Sequence, residues 1–313
     1  MSSTRARSLG RAGARRGGLF GRAPVPPPRR FSGRLDLHCH SDASDGKFPP
    51  HEVLARAAAG RIDVLALTDH DLAPVLAAGV HEVDGRPVRV LHATEVSGTH
   101  EGKELHLLVY FPGDMPAAYV DFLRERAASR AVRYEAAVRA LGLTPGVEVP
   151  APDADERAGL RALTRHHLVR RLRDAGLVAD SREGFAKVAP ALPRIALSFV
   201  DAIRAARAAG GLTSWAHPDR DDAQSWTRTF VDAGLQGLEG ARPAQDRTTR
   251  NLLKNLAEKH GLLVTGGSDW HGWHDTTLGS FTLEGERAER FCDALGVTPP
   301  ERAPSPADAE PLA

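Results

Sequence analysis

Apolar runs in this chain repeatedly end in histidine or a carboxylate. RLDL leads into His38 and His40, VLALT into Asp69 and His70, and VLHAT into Glu95. TSWA leads into His217 and LLVTGGS into Asp269 and His271, while His106 lies within ELHLLVY and Asp45 in the SDG turn after the first run. A buried strand that stops in titratable groups needs a use for them, because an unpaired buried charge is costly. Strand–helix alternation with a chemical residue after nearly every strand points to an α/β barrel, which builds its site at the C-terminal strand ends. The strand count is nearer seven than the usual eight.

The alternation predicts strands at 34–40, 63–68, 88–96 and 104–111, with a helix over 51–60 and a short Ala-rich helix before a DG turn. Residues 113–195 change character. Helices are expected over 116–141, 163–175 and 182–188, and no strand there ends in a ligand, so this stretch reads as a helical insertion. Alternation resumes with a helix at 199–209, strands at 212–216 and 235–240, a helix at 244–260 and a strand at 262–266. The last structured part is expected at 277–295. The main domain therefore spans 34–298, with a flexible Pro- and Ala-rich tail over 299–313.

Charge divides the 313-residue chain unevenly. Residues 1–34 hold nine arginines and no acid, which leaves 32 basic against 40 acidic residues elsewhere, a net of −8. The Arg-rich segment 1–33 reads as a disordered tail. An acidic body argues against duplex DNA as a partner. No apolar run approaches a membrane span. Two cysteines, Cys39 and Cys292, suggest no disulfide framework, so a cytoplasmic location is the expectation.

Period-two spacing puts His38 and His40 on one strand face, where both rings can chelate one ion, while Cys39 points the other way. Each candidate has an ordinary reading when taken alone. Asp45 before Gly is a common turn residue, Glu95 could face solvent, and His106 could be a core histidine. Asp69 is placed to fix an imidazole tautomer, Asp71 to cap the next helix, and His92 and His274 read as structural and surface residues. Nine such residues at strand ends exceed what one ion needs. They fit a cluster of two or three divalent ions, and such clusters hydrolyse phosphate esters. Imidazole with carboxylate suits Mn, then Fe or Zn, better than Mg or Ca.

DLHCHS, SDG, ALTDHD, the third-strand Glu, AHP and GSDWHG together resemble the PHP family, named for polymerase and histidinol phosphatase. The resemblance covers about residues 34–112 and 195–285. It is strongest to the subgroup of nucleoside 3′,5′-bisphosphate phosphatases and 5′–3′ RNA exonucleases. It implies a distorted seven-stranded (β/α)7 barrel with a trinuclear metal site. His38, His40, Glu95 and Asp269 would hold one ion; Glu95, His106 and His217 a second; Asp45, His70 and His271 the third. LTRHHL is similar to the subgroup's T-R-x-H helix start and implies Arg165 and His167 as substrate contacts. Where the subgroup carries a basic residue and a Pro-x-Tyr-like segment, this chain has ALPRIALSFV, so Arg194 would replace the basic contact and the Tyr is absent. HATEVSG also departs from an apolar-Gly-x-Glu pattern.

The implied substrate is a small nucleotide or the 5′ end of a short RNA, attacked by a metal-bridged hydroxide with Glu95, His217, Asp269 and His271 around the reacting phosphate. Rival readings are a histidinol-phosphatase-like enzyme, a non-catalytic metal-binding module, and an amidohydrolase-like enzyme. The last usually carries a strand-borne lysine, and no lysine here occupies such a position.

Overall fold

A computed structural model describes residues 32–243 and 245–301. The expectations for most of the two tails fall outside these residues. In chain order the elements are β1 (Leu35–Cys39), α1 (Pro50–Ala59), β2 (Val64–Leu67), β3 (Gly79–Val83), β4 (Arg86–His100) and β5 (Lys103–Phe111). Four helices follow: α2 (Ala117–Ala140), α3 (Ala154–Ala158), α4 (Arg165–Asp174) and α5 (Ser181–Val188). The chain continues with α6 (Phe199–Ala208), β6 (Leu212–Trp215), α7 (Arg220–Ala233), β7 (Gly237–Ala241), α8 (Arg247–His260), β8 (Leu263–Gly266) and α9 (Glu286–Leu295).

Seven strands form the wall of a nearly closed barrel, in the order β1-β2-β4-β5-β6-β7-β8, and β3 is a side hairpin on β4. Neighbours are parallel except at β5, which runs antiparallel to both β4 and β6. That reversal is the distortion. It also explains the position of His106: in a reversed strand the site end is the N-terminal end, so this candidate precedes the apolar run LLVYF. Closure comes where the chain beyond β8 meets the end of β1. Asp269 N–H donates to His38 O at 2.7 Å and His40 N–H to Trp270 O at 2.9 Å. Gly267 permits this approach, since a Cβ there would sit 2.4 Å from His38 N.

The strand interiors are apolar, and α9 covers the end away from the site, with Phe291 meeting Tyr110 edge-on at 5.1 Å. The N-terminal half of α2 packs on the barrel through Tyr119 and Leu123. Its C-terminal half joins a separate core with α4 and α5, built on Tyr134, Val138, Leu168, Leu172 and Val188.

Two expectations need correction. No helix follows β2: Pro74 and the positive-φ Gly79 leave no room for one, and the chain turns into β3 instead. Helix α7 was not anticipated, although its buried Ala223, Trp226, Thr227 and Phe230 follow the i, i+3, i+4, i+7 spacing of an amphipathic helix. No helix among the described residues is long and apolar enough to cross a membrane.

Candidate metal centre and substrate cavities

The barrel brings all nine candidate ligands to one end. Glu95, on β4 and 1% exposed, lies at their centre. Its Oε2 sits 3.3 Å from His38 Nε2, 3.3 Å from His40 Nε2 and 3.2 Å from His70 Nδ1. Its Oε1 sits 3.0 Å from His106 Nδ1 and 3.2 Å from His217 Nε2. Asp269 Oδ1 faces His38 and His40 at 3.4 and 3.5 Å. Asp45 faces His70 at 3.5 Å and His271 at 3.3 Å. Donor atoms that share one cation at ordinary bond lengths stand about 3.0–3.4 Å apart, so these separations suit ions between them.

Three groups of donor atoms lie close enough to share an ion: His38, His40 and Asp269; His40, Asp45, His70 and His271; and His70, Glu95 and His106. They overlap the three sets that the family resemblance implies. They differ in that His40 and His70 each fall in two groups, Glu95 does not join His38, His40 and Asp269, and His217 falls in none, meeting the cluster through Glu95 Oε1 at 3.2 Å.

The orphaned atoms test whether cations fit. His38 Nε2, both ring nitrogens of His40, Asp45 Oδ2, His70 Nδ1 and Glu95 Oε2 are buried with no hydrogen-bond partner. Each such atom costs about 1–3 kcal/mol when left unsatisfied. Six such atoms among the residues of these three groups fit divalent cations.

Electrostatics point the same way. Burial alone would lower the pKa of His40, but Asp269, Glu95 and Asp45 outweigh it and raise it to about 10. His106 is likewise raised to about 9 by Glu95 and Glu104 against burial. Burial dominates at His70 and lowers it to about 4. Without cations, protons on His40 and His106 offset the carboxylates. The folded pKa values of these two lie above the unfolded value near ~6.5, so their stabilisation is complete below that pH and lost as pH rises through 9 to 10. The metal-free protein should therefore lose thermal stability from pH 7 to 9.5, and the gain on adding divalent ions should widen over that range. Calorimetric melting of chelated and loaded samples checks this; a flat metal-free profile would contradict it.

Backbone geometry aims the candidate ligands. His217 and Asp269 both take left-handed conformations, with φ of 33° and 51°, at the ends of their strands. Such strain is retained where the surrounding structure fixes it. Gly46 lets the Asp45 turn fold against β1, since a Cβ there would lie 2.5 Å from His40 O.

Glu239 was missed from the sequence. It lies on β7, fully buried, where its Oε1 takes His38 Nδ1–H at 2.9 Å and its Oε2 takes the His217 backbone N–H at 2.7 Å. That bond leaves His38 Nε2 free to face Glu95 and Asp269. The only sequence signal was a carboxylate in LEG at another strand end. Glu239→Gln has one oxygen for two donors, so one of them must lose its partner. Metal affinity or turnover should fall about 10- to 100-fold, as for other groups that orient metal-binding histidines. Titration of bound metal with kcat checks it, and an unchanged affinity and rate would remove this role.

Two neighbouring carboxylates differ from expectation. Asp69 binds no imidazole; it accepts from Ser41 N–H at 2.9 Å, Ser41 Oγ at 2.6 Å and Ser44 Oγ at 2.5 Å, and so fixes the loop after β1. Asp71 caps no helix. It accepts from Ser97 N–H at 2.9 Å and from Arg130 Nε at 2.8 Å, which ties α2 to the site end of β4. His92 bridges Leu76 O and Met115 N–H, a structural role, and His274 is exposed.

Two cavities flank the cluster. One, of about 400 Å³, is lined by His70, His106, Arg130, Arg133, Arg165 and Arg194 among others. The other, of about 760 Å³, is lined by Asp269, His271, Arg170, Phe185 and Trp273 among others. Asp45 and His166 border both. The structure thus places Arg165 and Arg194 beside the cluster. His167 lines neither cavity: its Nδ1 accepts the Thr164 N–H at 3.1 Å, closing the capping box of α4. Burial holds its pKa down, to about 3, which suits an acceptor. The preceding residue, His166, faces the site instead.

Comparison with known proteins agrees with this geometry. No protein-family model matches the chain. It is 32% identical over 250 residues to a 3′,5′-nucleoside bisphosphate phosphatase from Chromobacterium violaceum, covering 76% of this chain and 87% of that protein. It is 30% identical over 253 residues to the 5′-3′ exoribonuclease Rnm of Salmonella typhimurium, covering 75% and 84%. A solved chain from Bifidobacterium adolescentis, described as a proposed metal-dependent phosphoesterase, shares the fold with a TM-score of 0.66 at 24% identity, over 85% of this chain and 97% of that one. A Chromobacterium violaceum chain described as an amidohydrolase, with sulfate bound and no metal, gives a TM-score of 0.66 at 29% identity, over 83% and 96%. The fold and the site define a metal-dependent hydrolase of phosphoric ester bonds. The chain belongs to the PHP family of phosphoesterases.

Proposed function

We propose that the nine residues hold two or three divalent ions, Mn before Fe or Zn. The substrate is a small phosphorylated nucleotide: a nucleoside 3′,5′-bisphosphate, with the 5′ end of a short RNA as a second candidate. The observation that carries this reading is the convergence of unpartnered buried donor atoms next to a cavity lined by Arg133, Arg165 and Arg194. The names of the two curated relatives support the nucleotide assignment. The domain division is part of the reading: a catalytic domain over 34–298 with a helical insertion about 113–195. Two buried unpaired cysteines support a cytoplasmic setting.

Bound divalent ions would supply an acidified water and neutralise charge growing on the phosphoryl oxygens. The chain's own groups do the rest. Glu95 presents one oxygen to each side of the cluster, so it can serve two ions at once. Asp269 and His271 line the wall of the larger cavity and Asp45 borders both. Arg165 and Arg194 grip phosphate oxygens, where guanidinium can donate two parallel bonds. His217 and His271 are engaged as ligands in this reading, so neither is assigned as the proton donor to the leaving oxygen. A C–N hydrolase reading finds no lysine among the described residues lining either cavity.

The test is a comparison of kcat/KM for adenosine 3′,5′-bisphosphate, a 5′-phosphorylated trinucleotide and histidinol phosphate. The nucleotide substrates should lead. A clear preference for histidinol phosphate would transfer the protein to that rival activity.

A further inference from the structure

The proposed chemistry uses the cluster and its arginine-lined side. It leaves the 760 Å³ cavity unexplained, although that cavity shares Asp45, Asp269 and His271 with the cluster. Its volume falls within the roughly 300–1,000 Å³ of small-molecule sites. Its character differs from the arginine side. Trp273 lines it with 47% of its surface exposed, unusual for so large an apolar ring.

Trp273 is held in place. Its indole N–H donates to Asp45 O at 2.7 Å, so the backbone of a candidate ligand anchors the ring. The Arg170 guanidinium lies 4.8 Å over the ring, a cation–π contact. Gly272, with φ of +75°, makes the turn that carries the chain from His271 to Trp273; a Cβ there would strike the Phe48 ring at 2.8 Å. His166 and Phe185, which also line the cavity, meet edge-on at 4.9 Å. A fixed, exposed aromatic ring with a guanidinium beside it is the equipment of a base-stacking platform.

We infer that the larger cavity is the nucleobase subsite, with Trp273 as the stacking platform and Arg170 fixing its ring. This deepens the nucleotide reading and rests on it. The subsite would select substrates that carry a planar base beside Asp45 and His166, the residues this cavity shares with that of Arg165 and Arg194. It adds affinity without base identity, because stacking accepts any π-face.

Calorimetric binding of AMP and ribose 5-phosphate to the Mn-loaded full chain tests it, since the two ligands differ in the base. Wild type should bind AMP about 10- to 100-fold more tightly, the scale of one lost base stack. Trp273→Ala should bring the two affinities together. Trp273→Phe, which loses the bond to Asp45 but keeps an aromatic face, should retain most of the preference. Equal affinities in wild type would overturn the inference, as would a preference that survives Trp273→Ala. An equal fall in both variants would also overturn it, because that is the signature of a structural anchor. Failure of the nucleotide reading looks different: AMP binds through Trp273, yet no phosphate leaves adenosine 3′,5′-bisphosphate.

Discussion

Glu95→Gln should abolish turnover and lower the bound metal by at least one ion per chain. The side chain keeps its shape, so the fold should survive. What changes is charge and donor pattern at the point where five imidazoles meet. Burial would raise the Glu95 pKa, but the charges of His70, His38 and His106 hold it well below the usual carboxylate range. It is therefore an anion in the folded protein, with one oxygen towards His38, His40 and His70 and the other towards His106 and His217. An amide supplies one neutral oxygen and one N–H₂ group, and the latter turns its hydrogens on ring nitrogens that must accept. Several kcal/mol of charge stabilisation would go, or about 10³-fold or more in kcat. Elemental analysis, circular dichroism and kinetics on one sample separate the effects. Near-wild-type turnover with full metal content would sink the central role of Glu95.

Asp269 should be nearly as sensitive, and the choice of substitution matters. Its φ of 51° is left-handed, a conformation that asparagine tolerates and alanine resists by about 1–2 kcal/mol. Asp269→Asn thus removes the charge and adds no backbone strain, while Asp269→Ala removes the charge and adds that strain. Burial would raise this carboxyl, but His38, His40 and His271 hold it well below the usual range. Both variants should lose about 10³-fold or more in turnover. Alanine alone should also lower the melting temperature. If asparagine restored activity, the role of Asp269 would be conformational.

Much of this candidate site is legible because strands and the donor residues they carry obey simple periodicities. His38 and His40 fell on one face at a spacing of two, and His70, His217 and Asp269 closed apolar runs. His106 gives a weaker signal for a physical reason: β5 is reversed, so its candidate donor comes first and its apolar run afterwards. The companions of the ligands were harder to read. Glu239 resembles any strand-end glutamate until the fold places His38 and His217 on its two oxygens. Asp69 and Asp71 flank a ligand, yet their partners, Ser41, Ser44 and Arg130, lie 25 or more residues away in sequence. The T-R-x-H motif points to His167 as a substrate contact, but its ring nitrogen closes a helix cap. In the fold, β3 was hidden by an Ala-rich stretch whose Pro74 and Gly79 stop a helix. Helix α7 carries a clear helical period in Ala223, Trp226, Thr227 and Phe230.

The most direct test of the account is inorganic phosphate release from adenosine 3′,5′-bisphosphate by Mn-loaded protein, beside a chelated sample, with bound metal counted in both. Rapid release is expected at two or three ions per chain, none after chelation, and recovery on adding Mn back. Release unaffected by chelation, with metal shown to be gone, would contradict a metal-centred phosphoesterase at this cluster.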